Sequence, residues 1–140
     1  MVEISRFEAA LRRRPRLQQR CFSPGEREYC NRQRRPGQHF AARFAAKEAV
    51  AKALAAPVRW REIEVTRHGG ATTSSGPPRS RRTGQGGRVG RSRAESSGGA
   101  PGVRLSGRTA ELAAGRAVLI SISHSGDLAV AAAVAERADE

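Results

Sequence analysis

"HFAARFAAKEAVAKAL" (residues 39–54) decides the fold of this chain. The stretch holds no glycine or proline and is dominated by alanine, the strongest helix former. It predicts a helix from Gln38 to about Ala55. Phe40, Phe44, Ala51 and Leu54 recur at helical spacing on one apolar stripe. Glu48 lies four residues after Phe44 and three before Ala51, so the stripe also carries a carboxylate. A carboxylate on a buried face is costly unless it is paired or coordinated. Two readings stay open. Glu48 can pair with Lys52 in the favourable acid-then-base order. Alternatively it is a metal ligand at a subunit or domain boundary, because magnesium is often held by one carboxylate together with substrate phosphates. Arg43 and Lys47 project from one side of this helix, the ordinary pattern of a solvated charged face.

Working outward toward the N-terminus, "SRFEAALRR" places Ser5 and Glu8 at capping-box spacing and predicts a helix from Arg6 to about Arg13, stopped by Pro15. "SPGEREYC" repeats the device with Ser23, Pro24 and Glu26 and predicts a helix from Pro24 to about Gln33. Arg34 and Arg35 precede the long helix, whose N-terminus is a natural site for an anion.

Toward the C-terminus, "VRWREIEVTR" (58–67) has strand composition. Residues 69–102 then hold ten glycines, six arginines and no aromatic residue. Such a segment cannot bury enough apolar surface to offset its ordering entropy, and we expect a disordered basic insertion there. Val103–Leu105 reads as a short strand, with Ser106 capping a helix through Ala114. "AVLISIS" (117–123), the turn "SHSGD" and "LAVAAAVAE" (128–136) read as a hairpin. His124 lies in the turn, where a histidine is either a plain surface residue or a phosphate contact or proton carrier.

The chain has 140 residues, within the size of a single domain, and a formal net charge of +13. That charge favours an anionic partner: nucleic acid, a phosphorylated cofactor or an acidic protein. Only six residues are aromatic, so stacking platforms for single strands are not evident. Cys21 and Cys30 show neither CxxC spacing nor a neighbouring histidine cluster, and read as two reduced thiols of a cytoplasmic protein. No run approaches the roughly 18 apolar residues of a membrane span. The glycine-rich "GQGGRVG" (84–90) precedes no predicted helix and is discounted as a phosphate loop.

The segments "VEISRFEAAL" (2–11), "CFSPGEREYC" (21–30), "FAARFAAKEAVAKAL" (40–54), "WREIEV" (60–65), "VRLSGRTAELA" (103–113) and "ISISHSGDLAVAAAVAE" (120–136) occur in an order that resembles the holo-[acyl-carrier-protein] synthase family. These are small 4′-phosphopantetheinyl transferases, and the high arginine and alanine content is like that of an actinobacterial member. The resemblance implies an α+β fold with a small antiparallel sheet packed with a long central helix, covering 1–140 with 69–102 as the insertion. It also implies a cytoplasmic homotrimer with sites at subunit interfaces. The reaction implied is transfer of 4′-phosphopantetheine from coenzyme A to a serine of apo acyl carrier protein in fatty-acid synthesis, with magnesium, releasing adenosine 3′,5′-bisphosphate.

By position, the resemblance makes Glu48 the metal ligand and gives Glu48, Lys52 and His124 catalytic roles. Arg35, Arg43, Lys47, Lys52 and His124 are expected to line the coenzyme site, and Arg6 to meet the carrier protein. The family's second metal carboxylate is an aspartate in a "GxD" element just ahead of "VEI", and its counterpart here would precede Met1. Met1 is therefore expected to be an internal start of a longer product. The family's "GTG" turn after the long helix is replaced by "AAPVRW" (55–60). Outside the enzyme class, the alternative is a basic nucleic-acid-binding module that uses residues 69–102.

Overall fold

Helix α4 (Pro36–Leu54) is the axis on which the other elements pack. The computed structural model describes residues 1–67 and 100–137, so the expected insertion lies almost wholly outside the described residues. The chain order is β1 (Val2–Glu3), α1 (Ile4–Arg13), α2 (Leu17–Cys21), α3 (Pro24–Asn31) and α4, then a 3₁₀ turn at Trp60–Glu62 and β2 (Ile63–Thr66). From Gly102 onward come β3 (Gly102–Leu105), α5 (Gly107–Leu112), β4 (Arg116–Ser125) and β5 (Leu128–Arg137).

The hairpin forms as its alternation predicts. Strands β4 and β5 pair antiparallel from Arg116 opposite Arg137 to Ser125 opposite Leu128, and β1 adds to the other edge of β5. His124 and Ser125 belong to β4, which leaves only Gly126 and Asp127 for the turn. Gly126 takes φ +57, the positive value that the first central position of a type II′ hairpin turn demands. The alanines at 129, 131, 133 and 135 face inward and the larger Val130 and Val134 face out. Small side chains on β5 meet the alanines of α4, so helix and strand approach closely. A second sheet pairs β2 with β3, from Ile63 opposite Leu105 to Thr66 opposite Gly102.

The capping box before α3 is complete: Glu26 N–H donates to Ser23 Oγ at 3.2 Å, and Ser23 N–H donates to Glu26 Oε1 at 3.1 Å. The box expected at Ser5 does not form, because α1 starts two residues earlier, at Ile4, and Ser5 sits inside its first turn. Asp127, from the hairpin turn, takes over. Its Oδ1 accepts from Ser5 N–H at 2.9 Å and its backbone oxygen from Ile4 N–H at 2.7 Å. The first helix is thus capped from the far end of the chain. The strand expected over 58–67 is shorter, since the 3₁₀ turn occupies its first half.

The face that α4 buries differs from the expected stripe. Phe40 and Leu54 are buried, but Phe44, Glu48 and Ala51 are half-buried, while Ala41, Ala45, Ala46, Lys47 and Val50 are in the core. Lys47 is fully buried, which corrects its reading as part of a solvated face. Its ammonium donates to Glu26 Oε1 at 2.6 Å, to the Cys21 carbonyl at 2.6 Å and to the Trp60 carbonyl at 3.0 Å. Glu26 in turn accepts from Val65 N–H at 3.2 Å through Oε2. One ion pair therefore ties α4 to α2, α3, the 3₁₀ turn and β2. Burial pushes the Lys47 ammonium below its ordinary pKa, and the Glu26 carboxylate pulls it back up.

Cys21 and Cys30 are both free and buried beside this pair, as two reduced thiols would be. Burial pushes the Cys30 thiol up from the ordinary 9.0 to about 11.

Two outcomes follow from this core. Lys47→Met leaves the Glu26 carboxylate buried without its partner, and removal of one member of such a pair typically costs about 3–5 kcal/mol. Urea unfolding should show that loss, and an unchanged midpoint contradicts it. A thiol with a raised folded-state pKa lends stability that is complete below its unfolded value and fades as pH climbs through the folded one. The urea midpoint should therefore fall between pH 9 and about 11. Cys30→Ser, which does not ionise there, should lose less over the same interval.

Candidate active site along helix α4

Three sets of polar side chains are distributed along α4. The first is Glu48 with Lys52. Glu48 follows Phe44 by four residues and shares its face. Phe44 stacks between Phe7 and Trp60, with ring centroids 4.9 and 5.4 Å away, which covers one flank of that face. Glu48 is half-buried there, while Lys52 is exposed. No ion pair joins the two, and the Glu48 carboxylate has no hydrogen-bond partner among the described residues. The pairing reading for Glu48 is thereby set aside. Among the described residues no group of three or more His, Cys, Asp and Glu side chains is placed to share a metal. A cation at Glu48 would therefore draw further oxygens from outside the described side chains.

The second set lies at the start of α4. Inward-facing positions of β4 alternate, so His124 falls on the same side as Ile120 and Ile122, toward the helix. The Gln38 amide nitrogen reaches its ring, 2.7 Å from Nδ1. Exposed Arg35 is the N-cap residue of α4. Gln38 and Glu48 are ten residues apart, about 15 Å along the helix at 1.5 Å per residue. His124 and Glu48 therefore cannot touch the same atoms from one chain, although a long ligand spans that distance.

The third set was missed in the sequence, apart from Arg43. Arg43 is buried, with its guanidinium 4.3 Å from the centroid of the Tyr29 ring. Arg67, just after β2, lies 5.3 Å from the same ring and donates to the Tyr29 hydroxyl. His39, one turn before Arg43, meets Tyr29 edge-on at 5.9 Å. Burial pushes the His39 ring below its ordinary pKa, and Arg43, Arg67 and His124 push it further the same way.

Two other expected residues fall elsewhere. Arg6 is exposed on the first turn of α1. Lys47 does not line a ligand site: all three of its ammonium protons have internal acceptors. A signal for this existed in the sequence. Phe40, Arg43, Lys47, Val50 and Leu54 follow one another at spacings of three or four, a stripe as regular as the one first read. Apart from α4, a cleft of about 870 Å³ opens beside Trp60 between α2 and residues 58–62, lined by Arg16, Arg20, Arg59 and Arg61 among others.

Residues 1–88 match the family model described as the 4′-phosphopantetheinyl transferase superfamily. The holo-[acyl-carrier-protein] synthase of Beutenbergia cavernae is 38% identical over 142 residues, covering 98% of this chain and 93% of that protein. That of Moorella thermoacetica is 51% identical over 73 residues, covering 50% of this chain and 57% of that protein. Among solved structures, a complex described as Chronobacterium ammoniagenes ACPS-CoA superimposes with a TM-score of 0.69 at 26% identity, covering 99% of this chain and 93% of that one. The α+β architecture, the order of the motifs and these likenesses agree, and the chain belongs to the holo-[acyl-carrier-protein] synthase family of phosphopantetheinyl transferases.

Proposed function

We propose that this chain transfers 4′-phosphopantetheine from coenzyme A to a serine of apo acyl carrier protein, releasing adenosine 3′,5′-bisphosphate, as a step serving fatty-acid synthesis in the cytoplasm. The single observation that carries the reading is Glu48: a half-buried carboxylate on the central helix with no protein partner among the described residues. A carboxylate in that state suits a cation that brings its own oxygens. Magnesium held by one carboxylate and a diphosphate fits the donor set, since this ion keeps several waters and seldom needs a full protein cage. When bound, it neutralises charge on the coenzyme diphosphate.

The remaining roles belong to the chain's own side chains. Lys52, one turn from Glu48, supplies positive charge near the diphosphate. Arg35, the N-terminus of α4 and the Gln38–His124 pair form a cationic end some three turns away, suited to the phosphates at the adenosine end of the coenzyme. In the transfer, the serine oxygen forms a bond to the β-phosphorus. The bridging P–O bond breaks, its electron pair leaves with the adenosine bisphosphate, and the serine proton passes to solvent or a nearby base. Exposed Arg6 and the arginine-lined cleft beside Trp60 give an acidic carrier protein a complementary surface.

The outer face of the hairpin supports assembly into a homotrimer. Leu119, Leu128, Val130 and Val134 expose between 42% and 56% of their surface, and Leu119 pairs directly with Val134. Contiguous apolar surface of this kind marks an interaction site.

Two measurements test this reading. Apo carrier protein incubated with the chain, coenzyme A and magnesium should gain the mass of one phosphopantetheine. Glu48→Gln should cut that rate by at least about 100-fold, because a lost metal contact is worth several kcal/mol. No mass gain by the parent chain, or full rate in the variant, contradicts it. In sedimentation the parent should run at three times its 15.0 kDa mass. The double variant Val130→Asp/Val134→Asp should run as a monomer with the same far-UV spectrum, and a monomeric parent rejects the trimer.

A further inference from the structure

The Tyr29 cluster joins three elements: α3 carries Tyr29, α4 carries His39 and Arg43, and Arg67 follows β2. Two guanidiniums share one aromatic ring, at 4.3 and 5.3 Å from its centroid. Like charges held this close repel, and no acidic side chain among the described residues pairs with either. Arg43 is 93% buried by its 7% exposure, and its Nε has no acceptor among the described residues. A buried donor left open is costly, and a guanidinium fork is the shape that grips a phosphate.

The chain therefore holds together, at some expense in stability, two cations with an open donor. The ring of Tyr29 lessens the repulsion by offering its electron-rich face, and its hydroxyl accepts from Arg67 and fixes that side chain. His39 stands edge-on to the same ring, and burial, followed by its cationic neighbours, disfavours its charged form.

We propose that Arg43 and Arg67, set against the Tyr29 ring, form an oxyanion site for a phosphate of the coenzyme, with Arg67 a direct phosphate contact and Tyr29 a positioning residue. Arg67 and Tyr29 are the new assignments, and they rest on the transferase reading given above. The site explains why a chain would keep a cation pair with no carboxylate paired to it among the described residues: the negative charge arrives with the ligand.

The test is calorimetric titration of the full-length chain with coenzyme A, alongside transfer kinetics. Arg67 is exposed, so Arg67→Gln leaves the core intact. It should weaken coenzyme A binding about tenfold, the size of one charged hydrogen bond, and leave KM for the carrier protein unchanged. Tyr29→Leu should weaken coenzyme binding by a similar factor, and Tyr29→Phe, which keeps the ring, by less. Without ligand, the NMR titration midpoint of His39 should rise in Arg67→Gln, since a neighbouring cation is gone. If Arg67→Gln binds coenzyme A within twofold of the parent, or the His39 midpoint stays put, the oxyanion site is rejected while the transferase reading stands. A parent that neither binds coenzyme A nor transfers rejects both.

Discussion

The structure depends on the buried pair of Lys47 and Glu26. Both side chains are almost entirely out of solvent, so each charge must be satisfied from within. Lys47 satisfies two carbonyls besides the carboxylate, and Glu26 satisfies the start of its own helix and a strand N–H. The partners come from five consecutive pieces of the chain. Around this polar centre the apolar core divides in two: aromatic rings from α1, the segment after α2, and the first half of α4 on one side, and Val50, Leu54, Ile63 and Val103 on the other. The pair fixes the rotation of α4 about its axis, and that rotation decides where every other side chain of the helix points.

The consequence for chemistry is direct. Adjacent residues on a helix are turned by about 100°. With Lys47 locked inward, Glu48 is delivered to the edge of the core, beside Phe44, where it is half-covered and still reachable. The same rotation sends Arg43 against Tyr29 and leaves Lys52 exposed. One helix thus presents a half-buried acid at Glu48 and cationic groups over the turns before it. Of the chain's surplus positive charge, Arg43 and Lys47 are held within the fold, while Arg6, Arg35 and Lys52 lie exposed.

Much of the fold was legible because it is encoded locally. Ser23, Pro24 and Glu26 announce α3 within four residues, and the alternation from 117 to 136 announces the hairpin. What the sequence hid was encoded at long range. Asp127 caps a helix 122 residues away, and no local pattern at Ser5 distinguishes that from a cap of its own. In the site, Glu48 stood out because a carboxylate on a stripe of Phe and Ala breaks the pattern. Lys47 drew no attention because a lysine in an alanine-rich helix is ordinary until its partner, 21 residues earlier, is known. Tyr29 and Arg67 were invisible for the same reason: each is unremarkable alone, and only the packing of α3 and β2 on α4 brings them to Arg43.

The role of Glu48 can be read without turnover by following free Mn²⁺, a hard cation that takes the same oxygen ligands as magnesium, through its electron paramagnetic resonance. Adding the parent chain to Mn²⁺ and coenzyme A should deplete the free-ion signal well beyond coenzyme A alone, and the Glu48→Gln chain should not. Equal depletion by the two chains would mean that the carboxylate on α4 holds no cation, and the assignment of the site to Glu48 would be wrong.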